Sequence, residues 1–262
     1  MTRFELDGYF ARVGYSGAAG ATLETLDALH TGHTFNIPFE NLDVFYGRAI
    51  SLEPDALYGK LVTRRRGGYC FEMNGLFSRV LAELGFSVTR LLARCTFNGA
   101  YTAKTHEVMA VEIEGRAYLC DVGYGADGIA APLPLVIDAE VTQFTNTYRF
   151  REDPRFGYIL ECGAGGGFEP MYAFTLDECL PDDYELSNHY TSTHPASFFR
   201  MMKFVTMPTR SGRVTLTDNS FKTVANGRVT ETPVSGDAEF AKLLAQRFGL
   251  DIDSIRRGDA GE

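Results

Sequence analysis

A single thiol sits in an unusual setting. Cys70 follows the run RRRGGY, Arg64 to Tyr69, and opens the apolar stretch FEMNGLF. Phe71, Leu76, Val80, Leu81 and Leu84 recur on one side of a helix starting near Cys70 and stopping at Gly85. A thiol at a helix N-terminus feels the positive end of the macrodipole, which favours thiolate. Arg64, Arg65 and Arg66 add to that field, while Gly67 and Gly68 permit a tight backbone turn and leave room for a substrate. The alternative use of a lone cysteine is a buried structural one.

His106 and Asp121 supply what a nucleophilic thiol needs. Between them lie two short apolar runs joined at Glu114-Gly115. If that turn has two residues, Ile113 pairs with Arg116 and Val108 lies opposite Asp121. His106, two residues from Val108, then shares its face and is a diagonal neighbour of Asp121. Thiol, imidazole and carboxylate are a nucleophile, its base and the group that orients the base, as in acyl transfer. Taken singly, the histidine reads as a surface residue and the aspartate as a turn former. His30 and His33 fall on a predicted helix and His189 and His194 beside a candidate ligand loop, so they fit the role less well. No HExxH, CxxC or similar spacing occurs, so no metal site is expected. GAGGG, Gly163 to Gly167, lacks the trailing Lys-Ser/Thr of a phosphate-binding loop and reads as a hairpin turn.

These groups need a scaffold, and the chain divides into three stretches. Residues 1–85 read as helical. Asp7 is expected to cap a helix ending near Val13, Thr22 a second, and Ser51 a third with Pro54 in its first turn. Residues 86–185 read as short strands: FSVTRLLARCTF, HEVMAVEIE, RAYLCDVG, TNTYRFRE and GYILEC. Residues 186–262 are mixed: a helix over SFFRMMKFV, strands turning at Asn226-Gly227, and an amphipathic helix from Asp237 to Phe248 capped by Asp237.

The chain has 262 residues, of which 45% are hydrophobic and 23% charged, a globular composition that excludes a disordered or fibrous protein. Twenty-five basic against 34 acidic residues give a net charge of −9, which disfavours nucleic acid as a partner. No apolar run is long enough for a membrane span, and the N-terminus lacks a secretory apolar core. Five scattered cysteines with no close pair suit free thiols in a reducing, cytoplasmic setting.

Five motifs in order resemble the arylamine N-acetyltransferase family: IPFENLD (Ile37 to Asp43), RRRGGYCFEMNGLF (Arg64 to Phe77), Thr105-His106, DVGYG (Asp121 to Gly125) and NHYTSTHPASFF (Asn188 to Phe199). The resemblance covers almost the whole chain. It implies an α+β fold with an N-terminal helical bundle, a central antiparallel β-barrel and a C-terminal α/β lid, with a triad arranged as in transglutaminases and cysteine proteases. It implies that acetyl-CoA acetylates Cys70, with His106 as base and Asp121 as its partner. An arylamine, arylhydrazine or N-hydroxyarylamine then takes the acetyl group. By position, Phe39, Tyr69 and Tyr124 fall in the acceptor pocket, and Thr102, Ala103 and Tyr190 at coenzyme A. Tyr124 stands where Phe is common, and Ala103 and Ala196 where some relatives carry Gly and a hydroxyl residue. Three other readings stay open: a thiol hydrolase or transglutaminase-like enzyme, an amide synthase of the same family closing a macrolactam on a carrier-bound chain, and a binding protein without activity.

Overall fold

The computed structural model of the protein describes residues 3–164 and 166–258. The first region is helical: α1 (Arg3–Val13), α2 (Leu23–Asn36), a two-residue strand β1 (Phe39–Glu40), α3 (Leu42–Phe45), α4 (Pro54–Tyr58), a π-helical turn over Gly59–Thr63 and α5 (Cys70–Glu83). Thr22 caps α2, its side chain accepting from the Thr25 N–H. Two expected caps are corrected. Asp7 lies inside α1, which starts at Arg3, and the residue ahead of α4 is Glu53, with Pro54 in the first turn and Ser51 two residues further out. α5 starts at Cys70 itself, and Gly85, at φ 87°, lets the chain turn away after it.

The second region is an antiparallel sheet of eight strands, nearly closed into a barrel: β2 (Ser87–Phe97), β3 (Ala100–Ile113), β4 (Arg116–Cys120), β5 (Leu133–Pro134), β6 (Val141–Gln143), β7 (Asn146–Asp153), β8 (Gly157–Ala164) and β9 (Gly167–Phe174). Their order is β5-β4-β3-β2-β9-β8-β7-β6, and a parallel bridge from Ile137 to Phe150 draws the two ends together. The inner residues, Leu91, Ala93, Val108, Leu119, Tyr148, Leu160 and Tyr172 among them, form one apolar core. The outer face of β2 and β3 packs on α5 through Leu92, Met109 and Val111, so the helix that carries Cys70 lies against the strand that carries His106. The glycine run falls in the β8–β9 connection, as a hairpin; Gly165 lies outside the described residues.

The third region holds α6 (Pro181–Thr193), α7 (Phe198–Met201), β10 (Phe204–Thr209), β11 (Gly212–Thr217), β12 (Ser220–Ala225), β13 (Arg228–Pro233), α8 (Gly236–Phe248) and α9 (Ile252–Arg257). The Asn226-Gly227 turn is present, both residues at positive φ. Two expectations are corrected. SFFRMMKFV is helical only over four residues, because Phe204 and Val205 enter a strand. The helix expected from Asp237 begins at Gly236, with Ser235 ahead of it. Residues 185 and 186 both lie within α6.

One strand of the third region's sheet comes from the first. β1 pairs with β10, Phe39 opposite Thr206 and Glu40 opposite Val205, at the edge of the order β1-β10-β11-β12-β13. Asn41 locks the junction: its amide donates to the carbonyls of Phe199 and Met202, both at 2.8 Å, and its oxygen accepts from the Phe204 N–H at 2.7 Å.

The approach to Cys70 is braced by buried charge. Arg66 donates from Nε and Nη2 to Glu40 Oε1 at 3.0 and 2.6 Å, and Nη2 also reaches Asp43. Lys60 Nζ bridges Asp43 and Glu72 at 2.7 and 2.6 Å. Glu72 in turn accepts the Tyr69 N–H at the start of α5. Burial alone would raise the Asp43 carboxyl, but Lys60 and Arg66 override it and hold it well below the usual carboxylate range. Removing one partner from such a buried set strands the other charges. Lys60→Met is therefore expected to cost about 3–5 kcal/mol of stability in urea unfolding. A cost below about 1 kcal/mol would mean the cluster behaves as a surface pair.

Candidate active site

Cys70, His106 and Asp121 come together where α5 meets the mouth of the barrel. Cys70 and His106 are each 3% exposed and Asp121 is 1% exposed. The hairpin works as the parity argument expects: Glu114 and Gly115, at φ 52° and 73°, form a two-residue turn, and the register runs from Ile113–Arg116 to Met109–Cys120. Asp121, one residue past β4, then meets His106 across the ladder, with Nε2 2.8 Å from Oδ2. Asp121 thus engages Nε2 and leaves Nδ1 for the thiol. The Cys70 Sγ lies 3.8 Å from the Thr105 carbonyl oxygen, beside the imidazole, which acts on it by charge and hydrogen bonding.

The electrostatics follow from burial and neighbours. Burial alone would lower His106, but the Asp121 carboxylate overrides it and raises the imidazole to about 10. Burial pushes the Cys70 thiol up, and His106 pulls against that. Asp121 stays below its usual value despite burial, because His106, Asn74 and the Gly123 N–H all favour the carboxylate. Cys95 and Cys162, pushed by burial to about 12 and about 11, have no imidazole opposing the shift. All five cysteines are free.

Several residues that hold the site were not singled out from the sequence. Asn74, one helical turn after Cys70, donates to Asp121 Oδ1 at 2.9 Å and to the Glu107 carbonyl at 2.6 Å, and accepts the Val122 N–H at 2.9 Å. Its position four residues after the nucleophile on a helix was the available signal. His30, from α2, accepts the Asp121 N–H on Nε2 at 3.1 Å; burial lowers its pKa to about 4, so it is a neutral acceptor. Tyr172 closes the back of the site, its ring 5.1 Å from that of His106.

Gly123 packs directly against the start of α5. A Cβ there would lie 2.8 Å from Cys70 Cα, fixed by the helix, and 2.9 Å from Asn74 Nδ2, held by Asp121 and the Glu107 carbonyl. Gly123→Ala is therefore expected to displace the thiol and lower kcat/KM by about 100-fold while the far-ultraviolet circular dichroism is retained. Unchanged kinetics would show that the contact does not position Cys70.

The expected acceptor residues are placed differently from one another. Phe39 and Tyr124 border a narrow cleft beside Asp121, together with Met73, Val122, Ile129 and Arg213; it encloses about 20 Å³, room for a water. The Tyr124 ring is 5.4 Å from that of His106. Tyr69 is fully buried, its hydroxyl donating to Asn188 on α6, so it ties α6 to the start of α5 rather than bordering that cleft. Of the expected coenzyme A residues, Thr102 lines an open cleft of about 520 Å³ at the β2–β3 hairpin, with exposed Ala103 next to it in sequence. Tyr190 lies on α6, 48% exposed and stacked on His194, and does not line that cleft. Among the described residues no three His, Cys, Asp or Glu side chains are grouped to hold a metal ion, and no helix is long and apolar enough to cross a membrane.

A thiol, an imidazole and a carboxylate in series, shielded from water, can form an acyl-thiol intermediate and pass the acyl group on. Comparison with known proteins agrees with that class. Residues 22–257 match the family model described as N-acetyltransferase. The chain is 38% identical over 258 residues to the arylamine N-acetyltransferase of Escherichia coli (strain K12), covering 97% of this chain and 91% of that one. It is 36% identical over 265 residues to the arylamine N-acetyltransferase / N-hydroxyarylamine O-acetyltransferase of Salmonella typhimurium, covering 98% and 92%. The structure of Mycobacterium marinum arylamine N-acetyltransferase in complex with CoA superposes with a TM-score of 0.90 at 34% identity, covering 98% of this chain and 95% of that one. The chain belongs to the arylamine N-acetyltransferase family and is an acyltransferase.

Proposed function

We propose that the protein transfers the acetyl group of acetyl-CoA to the nitrogen of arylamines and arylhydrazines, and to the oxygen of N-hydroxyarylamines, through an acetyl-Cys70 intermediate. The observation that carries the reading is the series Cys70, His106, Asp121, with Asp121 on Nε2 and the imidazole acting on the thiol. In that role Cys70 is the nucleophile, His106 moves the proton, and Asp121 fixes the tautomer and stabilises the imidazolium. The chain order Cys, His, Asp supports reading the centre as a transglutaminase- and cysteine-protease-like arrangement.

The Cys70 thiolate attacks the thioester carbonyl. As the new C–S bond holds and the bond to coenzyme A breaks, the His106 imidazolium gives its proton to the departing thiolate, releasing free CoA thiol. The neutral amine then attacks the acetyl carbonyl, the bond to Cys70 breaks, and His106 takes the amine proton. Thiolate and imidazolium are restored. The Cys70 N–H, at the start of α5, is a donor for the oxyanion in both steps.

Phe39 and Tyr124 flank the acceptor. The cleft they border is too small for an aromatic amine in its present width, and its outer wall is Thr206, Pro208 and Arg213 of the third region's sheet. Acceptor binding on this reading moves that sheet outward. Thr102, Ala103 and Tyr190 contact coenzyme A. The division into a helical bundle over residues 1–85, a barrel over 86–185 and an α/β lid over 186–262 is supported by one apolar core inside the barrel and another under the third region's sheet.

Initial rates with acetyl-CoA and an arylamine varied together test the reading. Parallel double-reciprocal lines are expected, because CoA leaves before the amine reacts. Intersecting lines would contradict the covalent route. Hydrolysis of peptide amides without use of acetyl-CoA would identify a thiol hydrolase instead, and turnover confined to carrier-bound acyl chains an amide synthase.

A further inference from the structure

Glu107 breaks the pattern of its strand. On β3 it shares a face with Met109 and Val111 and lies opposite Leu92 of β2, where the sheet packs on α5. Those three apolar residues are buried, and so is Glu107, at 0% exposure. An apolar side chain would suit the place, because a carboxyl taken out of water costs stability. Only one of its oxygens is paired. Arg90 Nε donates to Oε1 at 2.8 Å, while Oε2 has no hydrogen-bond partner among the described residues. A polar residue kept against the local packing rule is expected where function overrides stability.

We propose that Glu107 is a positioning residue for the nucleophile, clamped by Arg90 so that the β3 main chain beside His106 holds Cys70 and Asn74 in place. The proposal rests on Cys70 being the acetylated nucleophile.

The main chain of Glu107 meets both groups. Its carbonyl accepts from Asn74 Nδ2 at 2.6 Å, and Asn74 also donates to Asp121. Its N–H acts on the Cys70 thiol by hydrogen bonding and favours the thiolate. A shift of this one residue therefore disturbs a donor to the sulfur and the support of the carboxylate together.

The strand needs fixing at this point. Ala93 pairs with His106 but Arg94 pairs with Lys104, so Thr105 is a bulge residue immediately before His106. A bulge interrupts the ladder and bends its strand. Arg90, opposite Met109, is the diagonal neighbour of Glu107 on the same face and grips the strand just past the bulge. The Arg90 guanidinium lies 4.0 Å from the centroid of the Tyr184 ring, which anchors the clamp on α6. Glu107 supplies an acceptor oxygen more than a charge. Burial raises its carboxyl to about 7 against the pull of Arg90 and His106, and Oε1 can accept from Arg90 in either protonation state.

Single-turnover release of CoA at saturating acetyl-CoA tests the clamp in wild type, Glu107→Leu, Glu107→Gln, Arg90→Leu and the double leucine variant. Glu107→Leu is expected to slow acetylation of Cys70 about tenfold without loss of stability in urea. It removes a carboxyl with an unpaired oxygen, and Arg90, its side chain 34% exposed, can turn to water. Glu107→Gln keeps the acceptor oxygen and should stay within about threefold of wild type. Arg90→Leu should slow the step as Glu107→Leu does, and the double variant no further, because either change alone opens the clamp. Alkylation of Cys70 by iodoacetamide, in which no acetyl donor takes part, should fall in the same order. Wild-type rates in Glu107→Leu, a glutamine variant as slow as the leucine one, or additive losses in the double variant would overturn the clamp alone. A wild type that takes no acetyl group from acetyl-CoA would overturn the reading of the nucleophile beneath it.

Discussion

Asp121→Asn is expected to slow acetylation of Cys70 by about 10⁴-fold with the fold intact. The carboxylate makes three short contacts: Oδ1 accepts from Asn74 and from the Gly123 N–H, both at 2.9 Å, and Oδ2 meets His106 Nε2 at 2.8 Å. An asparagine must keep its oxygen toward the two donors, which turns its amide NH₂ to the ring. His106 Nε2 then has to accept, its proton moves to Nδ1, and the nitrogen facing the thiol can no longer take a proton from it. The rate of CoA release in a single turnover measures the effect. A loss below about tenfold would mean that the tautomer is fixed elsewhere.

The same substitution changes the pH dependence of stability. In the folded protein Asp121 overrides burial and raises His106 to about 10, above the ordinary value of 6.5 it returns to on unfolding. Native protein therefore binds the extra proton between these limits. The stability this contributes is fully present below about pH 6.5 and is lost as pH rises through about 10. Without the carboxylate, burial lowers the imidazole and that loss disappears. Urea unfolding of wild type and Asp121→Asn near pH 6.5 and near pH 10 should show a stability difference that shrinks at the higher pH.

Cys70→Ser carries the other large effect. The hydroxyl keeps the place and nearly the size of the thiol, but an alcohol is far harder to ionise, and the shift that His106 can exert does not close that gap. Turnover of acetyl-CoA with an arylamine should fall by at least about 10⁴-fold. Cys95→Ser leaves a thiol-free position on β2 with no imidazole beside it and should retain turnover. Equal losses in the two variants would remove Cys70 from its special place.

Much of this site was legible because it rests on local rules. A helix beginning at Cys70 follows from its glycine-rich lead and apolar spacing. The His106–Asp121 contact follows from strand parity and a two-residue turn. The supporting shell was not legible, because it is made by distant segments. His30 reaches Asp121 from 91 residues away, and the strand at Phe39-Glu40 exists because β10 pairs with it. α6 escaped notice for a different reason. Its buried residues after Tyr184 are Asn188, Thr191 and Ser192, so it lacks the apolar stripe that marks a helix. Pro181 with Asp182 and Asp183 in the first turn was the remaining sign. SFFRMMKFV misled in the opposite sense, since an apolar run of that length suits either element until its pairing is known.

Intact-mass analysis of the reduced wild-type protein with acetyl-CoA and no acceptor tests the central claim. The mass should rise by one acetyl group, peptide mapping should place it on Cys70, and addition of an arylamine should return the protein to its starting mass with release of the acetylated amine. Protein that stays unmodified, or an acetyl group found on another residue, would contradict it.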